Sequence, residues 1–252
     1  SDHNRRSLDK IAKINWIKVD KSLFNGFPIS SEYPLDVYYR LIIHDILPQY
    51  DKILYSDVDV LFRCDLTDVL NVNLEGMYWA GVPLERNETP SQETISAQVG
   101  QPDDPKYMSG HTKFSENKND LIFASGFMVI NSKKMRADQM TKNFFQIINQ
   151  FSGRLKMFDL DVLNLACQNG TIKSLPLEYC VFEDIAIVDD YKKSNLYPFL
   201  SRVFLDKEIE RATQYPAILH YTGSNETRIW NREEKKQPMP YRTFFSAVVA
   251  LI

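Results

Sequence analysis

The sequence predicts an α/β fold, because short apolar runs that suit buried strands alternate with stretches of helical periodicity. Ile53–Tyr55 is a continuous apolar run that stops abruptly at charged residues, and Ala217–His220 is a second such run. Runs of this length are typical of strands buried on both faces of an α/β sheet. Tyr38–Leu47 instead has apolar residues at helical spacing and ends at a proline. The strands and helices therefore belong to one α/β unit.

Five further segments carry a pattern. The alternating Ile14–Val19 and the apolar Trp79–Val82 predict strands. Leu121–Asn131 predicts a strand interrupted by small residues, a feature that marks a bulge or a close approach of ligand. Ser132–Phe151 predicts one long helix, and Val162–Gln168 predicts a shorter one.

Composition excludes several classes of protein. The chain has 252 residues, of which 44% are hydrophobic and 25% charged, with a net charge of −3 and a pI near 5.9. This charge gives no argument for a nucleic-acid partner, and no apolar run reaches the roughly 20 residues of a membrane span. Cys64, Cys167 and Cys180 are odd in number and widely spaced, which fits neither a disulfide framework nor a zinc site. We expect a cytoplasmic protein in a reducing compartment.

Two carboxylates one residue apart follow the first buried strand. Acidic residues at the carboxyl end of such a strand lie where open α/β sheets bind ligands. If the backbone turns there, the side chains of Asp57 and Asp59 can both meet one divalent cation. The cation would offset their repulsion, and a diphosphate is the usual second partner of such a metal. The alternative is an ordinary acidic turn.

Four motifs, taken together and in order, resemble family 8 of the retaining glycosyltransferases. They are Asp57-Val-Asp59-Val, Phe123-Ala-Ser125-Gly126, Phe158-Asp159-Leu160-Asp161-Val-Leu-Asn164, and His220-Tyr-Thr-Gly223 with the downstream Arg228-Ile-Trp230. The family includes bacterial lipopolysaccharide galactosyl- and glucosyltransferases and glycogenin. The resemblance implies a nucleotide-diphospho-sugar transferase fold of the GT-A type, with a mixed, mostly parallel central sheet flanked by helices.

The resemblance also assigns candidate residues. Asp57, Asp59 and His220 match the family's metal ligands, and two carboxylates with one imidazole suit Mn²⁺, with Mg²⁺ as the alternative. The implied catalytic residues are Arg40, Asp159 and Leu160. The implied contacts to the UDP-sugar are Val58, Ser125, Gly126, Gly223 and Arg228. Arg228 stands where the family commonly has a lysine. An arginine there keeps the charge but changes the geometry of phosphate binding.

Two positions depart from the family pattern. Ala124 replaces an asparagine near the donor sugar, and Leu160 replaces a glutamine near the anomeric carbon. Because leucine is neither a nucleophile nor a hydrogen-bonding group, retention would rely on attack from the leaving-group face, assisted by the diphosphate. Asp159 would then orient the sugar hydroxyls. The alternative for Asp159 is a simple helix cap, and the alternative for Arg40 is a surface position.

The family further implies the partners. We expect a UDP-hexose donor, galactose or glucose, and a glycan or lipid-linked glycan acceptor in bacterial cell-envelope polysaccharide synthesis. No nucleic acid is expected, the oligomeric state is open, and contact with the inner face of the cell membrane is an open alternative. The family begins with a strand–helix–strand unit, roughly 50 residues by the size of such units, that would precede Ser1. We therefore expect a fragment of a longer chain, or strands supplied in another way.

Residues 1–223 are expected to form the transferase domain, and 224–252 a C-terminal extension. Within the domain, residues 85–120 are polar and weakly patterned, as in functional loops. We expect this segment to fold over the donor as a lid and to contribute Tyr107, His111 and Phe114 to the acceptor pocket. The alternative is a solvated insertion.

Two other functions were compatible with the motifs. A strand ending in Asp-x-Asp also resembles the nucleophile motif of haloacid-dehalogenase-type phosphatases, and Ile185–Asp190 mimics their late paired aspartates. That assignment leaves His220 and the residues after it unexplained. The second alternative is a non-catalytic relative that binds sugar nucleotides, suggested by Ala124 and Leu160.

Overall fold

A four-stranded sheet lies at the centre of the protein in this computed structural model, which describes residues 14–30, 33–86, 121–153, 155, 157–167, 170–186 and 188–222. Its strands, in spatial order, are β1 (Ile53–Ser56), β6 (Phe127–Ile130), β3 (Trp79–Gly81) and β7 (Ile172–Ser174). Strand β6 runs antiparallel to both of its neighbours, and β7 runs parallel to β3. The carboxyl end of β1 therefore meets the loop that precedes β6.

Two smaller sheets adjoin the first. One contains β2 (Val60–Phe62), β9 (Ile218–His220) and β8 (Val181–Phe182), and the other pairs β4 (Pro83–Arg86) with β5 (Leu121–Phe123). The sheets are mixed, as predicted, but among the described strand pairs four are antiparallel and two parallel. The expectation of mostly parallel pairing thus does not hold among these strands, because β6 runs against both of its neighbours, β2 runs against β9 and β4 runs against β5.

Strands β3 and β6 of the central sheet are buried on both faces. Side chains of a strand alternate between faces, and along β6 this alternation divides the core in two. Phe127 and Val129 pack into one apolar cluster, whereas Met128 and Ile130 pack into the other. All four are at most 2% exposed. Burial on both sides explains why these strands read as continuous apolar runs rather than as alternating ones.

Short helices cover the sheets. The α-helices are α1 (Ile43–Ile46), α2 (Thr67–Leu70), α3 (Ser132–Ala137), α4 (Met140–Phe151), α5 (Asp159–Ala166), α6 (Glu183–Ala186), α7 (Tyr197–Leu200) and α8 (Asp206–Gln214). The 3-10 helices span Lys21–Phe24, Leu35–Ile42, Leu177–Tyr179 and Tyr191–Lys193. No helix in the described ranges is both long and apolar enough to cross a bilayer.

Two predicted elements differ from the structure. The expected strand Ile14–Val19 does not form, and Trp16 and Ile17 within it are about half exposed. The expected helix Ser132–Phe151 is broken at Gln139, whose φ of 53° is left-handed. The break lets α3 pack against α1 while α4 packs against α5. By contrast, the strand at Leu121–Asn131 is interrupted by small residues as predicted.

Parts of three predictions fall outside the described residues. The polar segment was expected to begin at residue 85, but Glu85 and Arg86 belong to β4, which pairs with β5. The rest of that segment, with Tyr107, His111 and Phe114, lies outside the described residues. So do Gly223, Arg228 and the C-terminal extension.

Asn131 connects β6 to the helix that follows it. Its carboxamide oxygen accepts a hydrogen bond from the backbone N–H of Lys134 (3.1 Å) and so caps α3. Its Nδ2 donates to the carbonyl oxygens of Leu74 (3.1 Å) and Met77 (3.0 Å). One side chain thus satisfies three backbone groups in the turns around the central sheet.

Replacing Asn131 by alanine should destabilise the protein by about 2–3 kcal/mol, because it removes a helix cap and two further hydrogen bonds. Urea denaturation measures this loss. Asn71→Ala, at an exposed position after α2, is the matched control and should change the unfolding free energy by less than about 0.5 kcal/mol. Equal stability of the two variants would contradict the assigned role of Asn131.

Candidate active site

The two carboxylates of the Asp-x-Asp motif lie on a turn that joins two sheets. Strand β1 ends before Asp57 and β2 begins after Asp59, so the backbone turns between them, the condition stated in the metal hypothesis. The N–H of Asp57 donates to the carbonyl of Gly126 (2.8 Å), and the carbonyl of Asp59 accepts from the N–H of Tyr221 (2.9 Å). Val58 stands at the tip, 98% exposed. Each aspartate is therefore anchored to a different sheet.

Asp57, Asp59 and His220 converge. Each offers one ligand atom, and these atoms all lie within 4.8 Å of one another. The Nε2 of His220 is 3.3 Å from Oδ1 of Asp59 and 3.8 Å from Oδ2 of Asp57. Two carboxylate oxygens and one imidazole nitrogen at this spacing could hold a divalent cation of the Mn²⁺ or Mg²⁺ type.

His220 is held by Phe182 of the neighbouring strand β8 and by Cys180, which directly precedes that strand. Its ring stacks on Phe182 with centroids 5.5 Å apart and planes at 28°, and its Nδ1 lies 3.9 Å from the thiol sulfur of Cys180. Burial by itself would lower the pKa of His220, but hydrogen bonds with Asp59 and Cys180 raise that pKa to about 10. In the metal-free protein the imidazole is therefore protonated at neutral pH.

Arg40 lies between the carboxylates. From the 3-10 helix Leu35–Ile42, its guanidinium contacts Oδ1 of Asp57 (2.7 Å) and Oδ2 of Asp159 (3.1 Å). It also donates to the carbonyl (2.8 Å) and the hydroxyl (3.0 Å) of Ser125. Only 9% of its side chain is exposed, which rules out the surface position considered from the sequence.

Asp159 occupies the first turn of α5, directly after a strained residue. Phe158 has a φ of 43°, unusual for a residue other than glycine, and its ring packs against Tyr33 and Tyr38. Asp159 is 4% exposed. Burial raises its pKa to about 6 although Arg40 opposes the shift. Asp159 is thus a buried, paired carboxylate and more than a helix cap.

The small residues Ala124–Gly126 form the loop between β5 and β6 that faces these groups. Asn164 fixes the strand before this loop, since its Oδ1 accepts from the N–H of Phe123 (2.8 Å) and its Nδ2 donates to the carbonyl of the same residue (3.0 Å). Nδ2 also donates to the carbonyl of Leu160 (2.9 Å). Asn164 thereby connects α5 to the strand end that precedes the loop. Leu160 is partly buried in the first turn of the same helix.

The structure brings together most of the residues predicted from the sequence and adds others. Sequence reasoning missed Tyr55, whose hydroxyl donates to Oδ1 of Asp57 (2.6 Å). It also assigned no site role to Cys180 or Phe182. The two-residue spacing of Tyr55 and Asp57 on a strand could have indicated a shared face. The contacts of Cys180 and Phe182 with His220 had no signal in the sequence.

The structure argues against the phosphatase alternative. The segment Ile185–Asp190, which mimics the late paired aspartates of that class, begins in the helical turn α6 and not in a strand. Asp190 instead caps a 3-10 helix by accepting from the N–H of Lys192 (3.1 Å).

Comparison with known families gives the class directly. The profile described as glycosyl transferase family 8 matches residues 2–234. The chain belongs to this family, as its motifs predicted.

Relatives and solved structures make the similarity more specific. A lipopolysaccharide 1,2-glucosyltransferase of Escherichia coli is 25% identical over 218 residues, which are 84% of this chain and 55% of that protein. Its counterpart in strain K12 is 23% identical over 233 residues, 90% of this chain and 60% of that protein. The chain thus spans little more than half the length of these relatives.

The structural comparison confirms the GT-A type fold. The galactosyltransferase LgtC, solved with donor and acceptor sugar analogues, superposes with a TM-score of 0.70 at 20% identity, over 99% of this chain and 81% of that one. The bifunctional enzyme WbbM superposes with a TM-score of 0.56 at 19% identity, over 85% of this chain and 37% of that one.

Gly126 is required by its contact with His220. A Cβ at this position would collide with Cε1 of the imidazole and stand 2.6 Å from Nδ1. Gly126→Ala should therefore displace the ring and destabilise the metal-free protein by about 1–3 kcal/mol.

Urea denaturation of Gly126→Ala, beside Gly153→Ala as the matched control, checks this expectation. A Cβ at Gly153 meets no heavy atom within 4 Å, so the control should keep the stability of the wild type. If Gly126→Ala were as stable as that control, the close packing of the glycine on His220 would be wrong.

Proposed function

We propose that this chain is the transferase domain of a metal-dependent retaining glycosyltransferase, moving a hexose from a UDP-sugar to a hydroxyl of a glycan or lipid-linked glycan. The observation that carries the proposal is the convergence of Asp57, Asp59 and His220 beside the Arg40–Asp159 ion pair. The cation site could bind the diphosphate of a nucleotide sugar, and the buried, oriented carboxylate beside it could bind the hexose.

The metal-binding residues fit Mn²⁺, with Mg²⁺ as the alternative. Asp57 and Asp59 supply hard oxygen ligands and His220 supplies a borderline nitrogen, a combination that suits Mn²⁺ better than an all-sulfur or all-nitrogen set would. When bound, the cation would neutralise the diphosphate leaving group. The diphosphate oxygens would complete its coordination, and Arg228 and Gly223 remain predicted contacts to the same group.

The donor sugar is proposed to lie beside Asp159. Arg40 holds this carboxylate through Nε, and Ser125 lies 3.4 Å from the same Oδ2. A carboxylate fixed in this way can orient sugar hydroxyls. Leu160, in the same turn, has no group that could attack the anomeric carbon. We therefore propose that the acceptor attacks from the leaving-group face, with retention of configuration.

The proposed partners follow from the relatives. A UDP-hexose, glucose or galactose, is the proposed donor, and a cell-envelope glycan is the proposed acceptor. This chain is similar to lipopolysaccharide glucosyltransferases and, in fold, to a galactosyltransferase. The proposed compartment is the cytoplasm, including the inner face of the cell membrane. The cysteines Cys64, Cys167 and Cys180 are free, which fits a reducing environment.

Release of UDP from UDP-glucose and UDP-galactose, with a glycan acceptor and Mn²⁺, tests the proposal. Asp57→Asn and Asp59→Asn should each abolish turnover and Mn²⁺-dependent UDP binding, because each removes a charge from the cation site. Asp36→Asn is the control, since that carboxylate lies on the surface in an ion pair with Lys21.

The outcomes separate the alternatives. UDP binding that needs Mn²⁺ without any turnover would identify a non-catalytic relative. Unchanged UDP–Mn²⁺ affinity in both aspartate variants, measured by calorimetry, would rule out the proposed metal site.

Metal binding should release a proton. The pKa of His220 in the metal-free protein is about 10, so near neutral pH the imidazole must lose its proton before Nε2 can bind a cation. We expect about one proton released per Mn²⁺ bound, and an affinity that increases as pH rises from neutral toward 10. Calorimetry in buffers of different ionisation enthalpy measures how many protons are released per Mn²⁺ bound.

His220→Asn provides the comparison, since it removes the titrating group. This variant should bind Mn²⁺ more weakly and release no proton. Proton release that is equal in the wild type and His220→Asn would contradict the assignment of His220 as a ligand.

A further inference from the structure

Tyr55 contacts two charged residues of the site at once. It lies on β1, two residues before Asp57. Its hydroxyl donates to Oδ1 of Asp57 at 2.6 Å, and the guanidinium carbon of Arg40 stands 4.8 Å above its ring. Tyr55 therefore supports the metal site through its hydroxyl and Arg40 through its ring.

Both hydrogen bonds to Asp57 converge on the same carboxylate oxygen. Arg40 contacts Oδ1 at 2.7 Å, and Tyr55 donates to that same Oδ1. The other oxygen, Oδ2, is the one that faces Nε2 of His220, at 3.8 Å. A carboxylate oxygen with two strong donors has little remaining capacity as a ligand, so a cation is directed to Oδ2.

We propose that Tyr55 is a positioning residue for the cation: its hydroxyl holds the Asp57 carboxylate in the orientation that presents Oδ2 to the metal as a single ligand atom. This inference rests on the proposed metal site. Partners in the outer shell of metal sites orient the ligands in this way, and their loss typically weakens metal binding by about 10–100-fold.

The alternative is that Tyr55 only fills space beneath Arg40. The two roles can be separated chemically, because a phenylalanine keeps the ring and its contact with the guanidinium but removes the donor. Tyr78→Phe makes the same chemical change away from the site, where the hydroxyl donates to the surface residue Asp138 (2.9 Å).

The experiment is titration of purified wild type, Tyr55→Phe and Tyr78→Phe with Mn²⁺ alone, followed by calorimetry and by the electron paramagnetic resonance spectrum of the bound ion. Tyr55→Phe should lose about 10–100-fold in Mn²⁺ affinity and show an altered spectrum, since Oδ1 of Asp57 keeps only Arg40 as a donor and the carboxylate is held less firmly. Tyr78→Phe should match the wild type in both readouts. Urea denaturation confirms that each variant is folded.

Three results would overturn the inference. Mn²⁺ affinity of Tyr55→Phe within about twofold of the wild type, with the same spectrum, would reduce Tyr55 to a packing residue. An equal loss in Tyr78→Phe would show that the effect is general to the fold. A wild type that binds no Mn²⁺ would instead overturn the proposed metal site itself.

Discussion

The site depends on one buried guanidinium placed between carboxylates. Taking charges out of water is costly unless they are paired and hydrogen-bonded; Arg40 is paired with both Asp57 and Asp159 and is also hydrogen-bonded to Asp57. In doing so it joins the 3-10 helix, the turn after β1 and the start of α5. Asp57 thereby links Arg40 to the cluster that Asp57 forms with Asp59 and His220.

The sequence was most informative where the chemistry is local. Asp57 and Asp59 could be found because their spacing and their place directly after a buried strand can be recognised within a few residues. His220 was assigned through the family pattern. Cys180, by contrast, is 40 residues away from the histidine that it contacts. Only the parallel pairing of β8 with β9 brings the two together, and no periodicity of the sequence encodes that pairing.

The two incorrect predictions of secondary structure also arose from contacts between residues that are distant in the sequence. Ile14–Val19 alternates as a strand would, but alternation produces a strand only where a neighbour offers a ladder of hydrogen bonds, and this stretch belongs to none of the sheets in the described part of the chain. Ser132–Phe151 has the composition of one helix, yet its two halves bury their apolar sides against different elements, α1 and α5. In both cases tertiary contacts decided between local conformations that the sequence allows.

The Asp-Val-Asp turn also has a mechanical meaning. Asp57 is hydrogen-bonded to Gly126 of the central sheet, while Asp59 is hydrogen-bonded to Tyr221 beside the second sheet. A cation shared by both aspartates and His220 would cross-link the two sheets where the chain itself passes between them in a single turn. Cation binding would thus hold the two sheets together, and the stiffness of the junction between them would depend on the occupancy of the site.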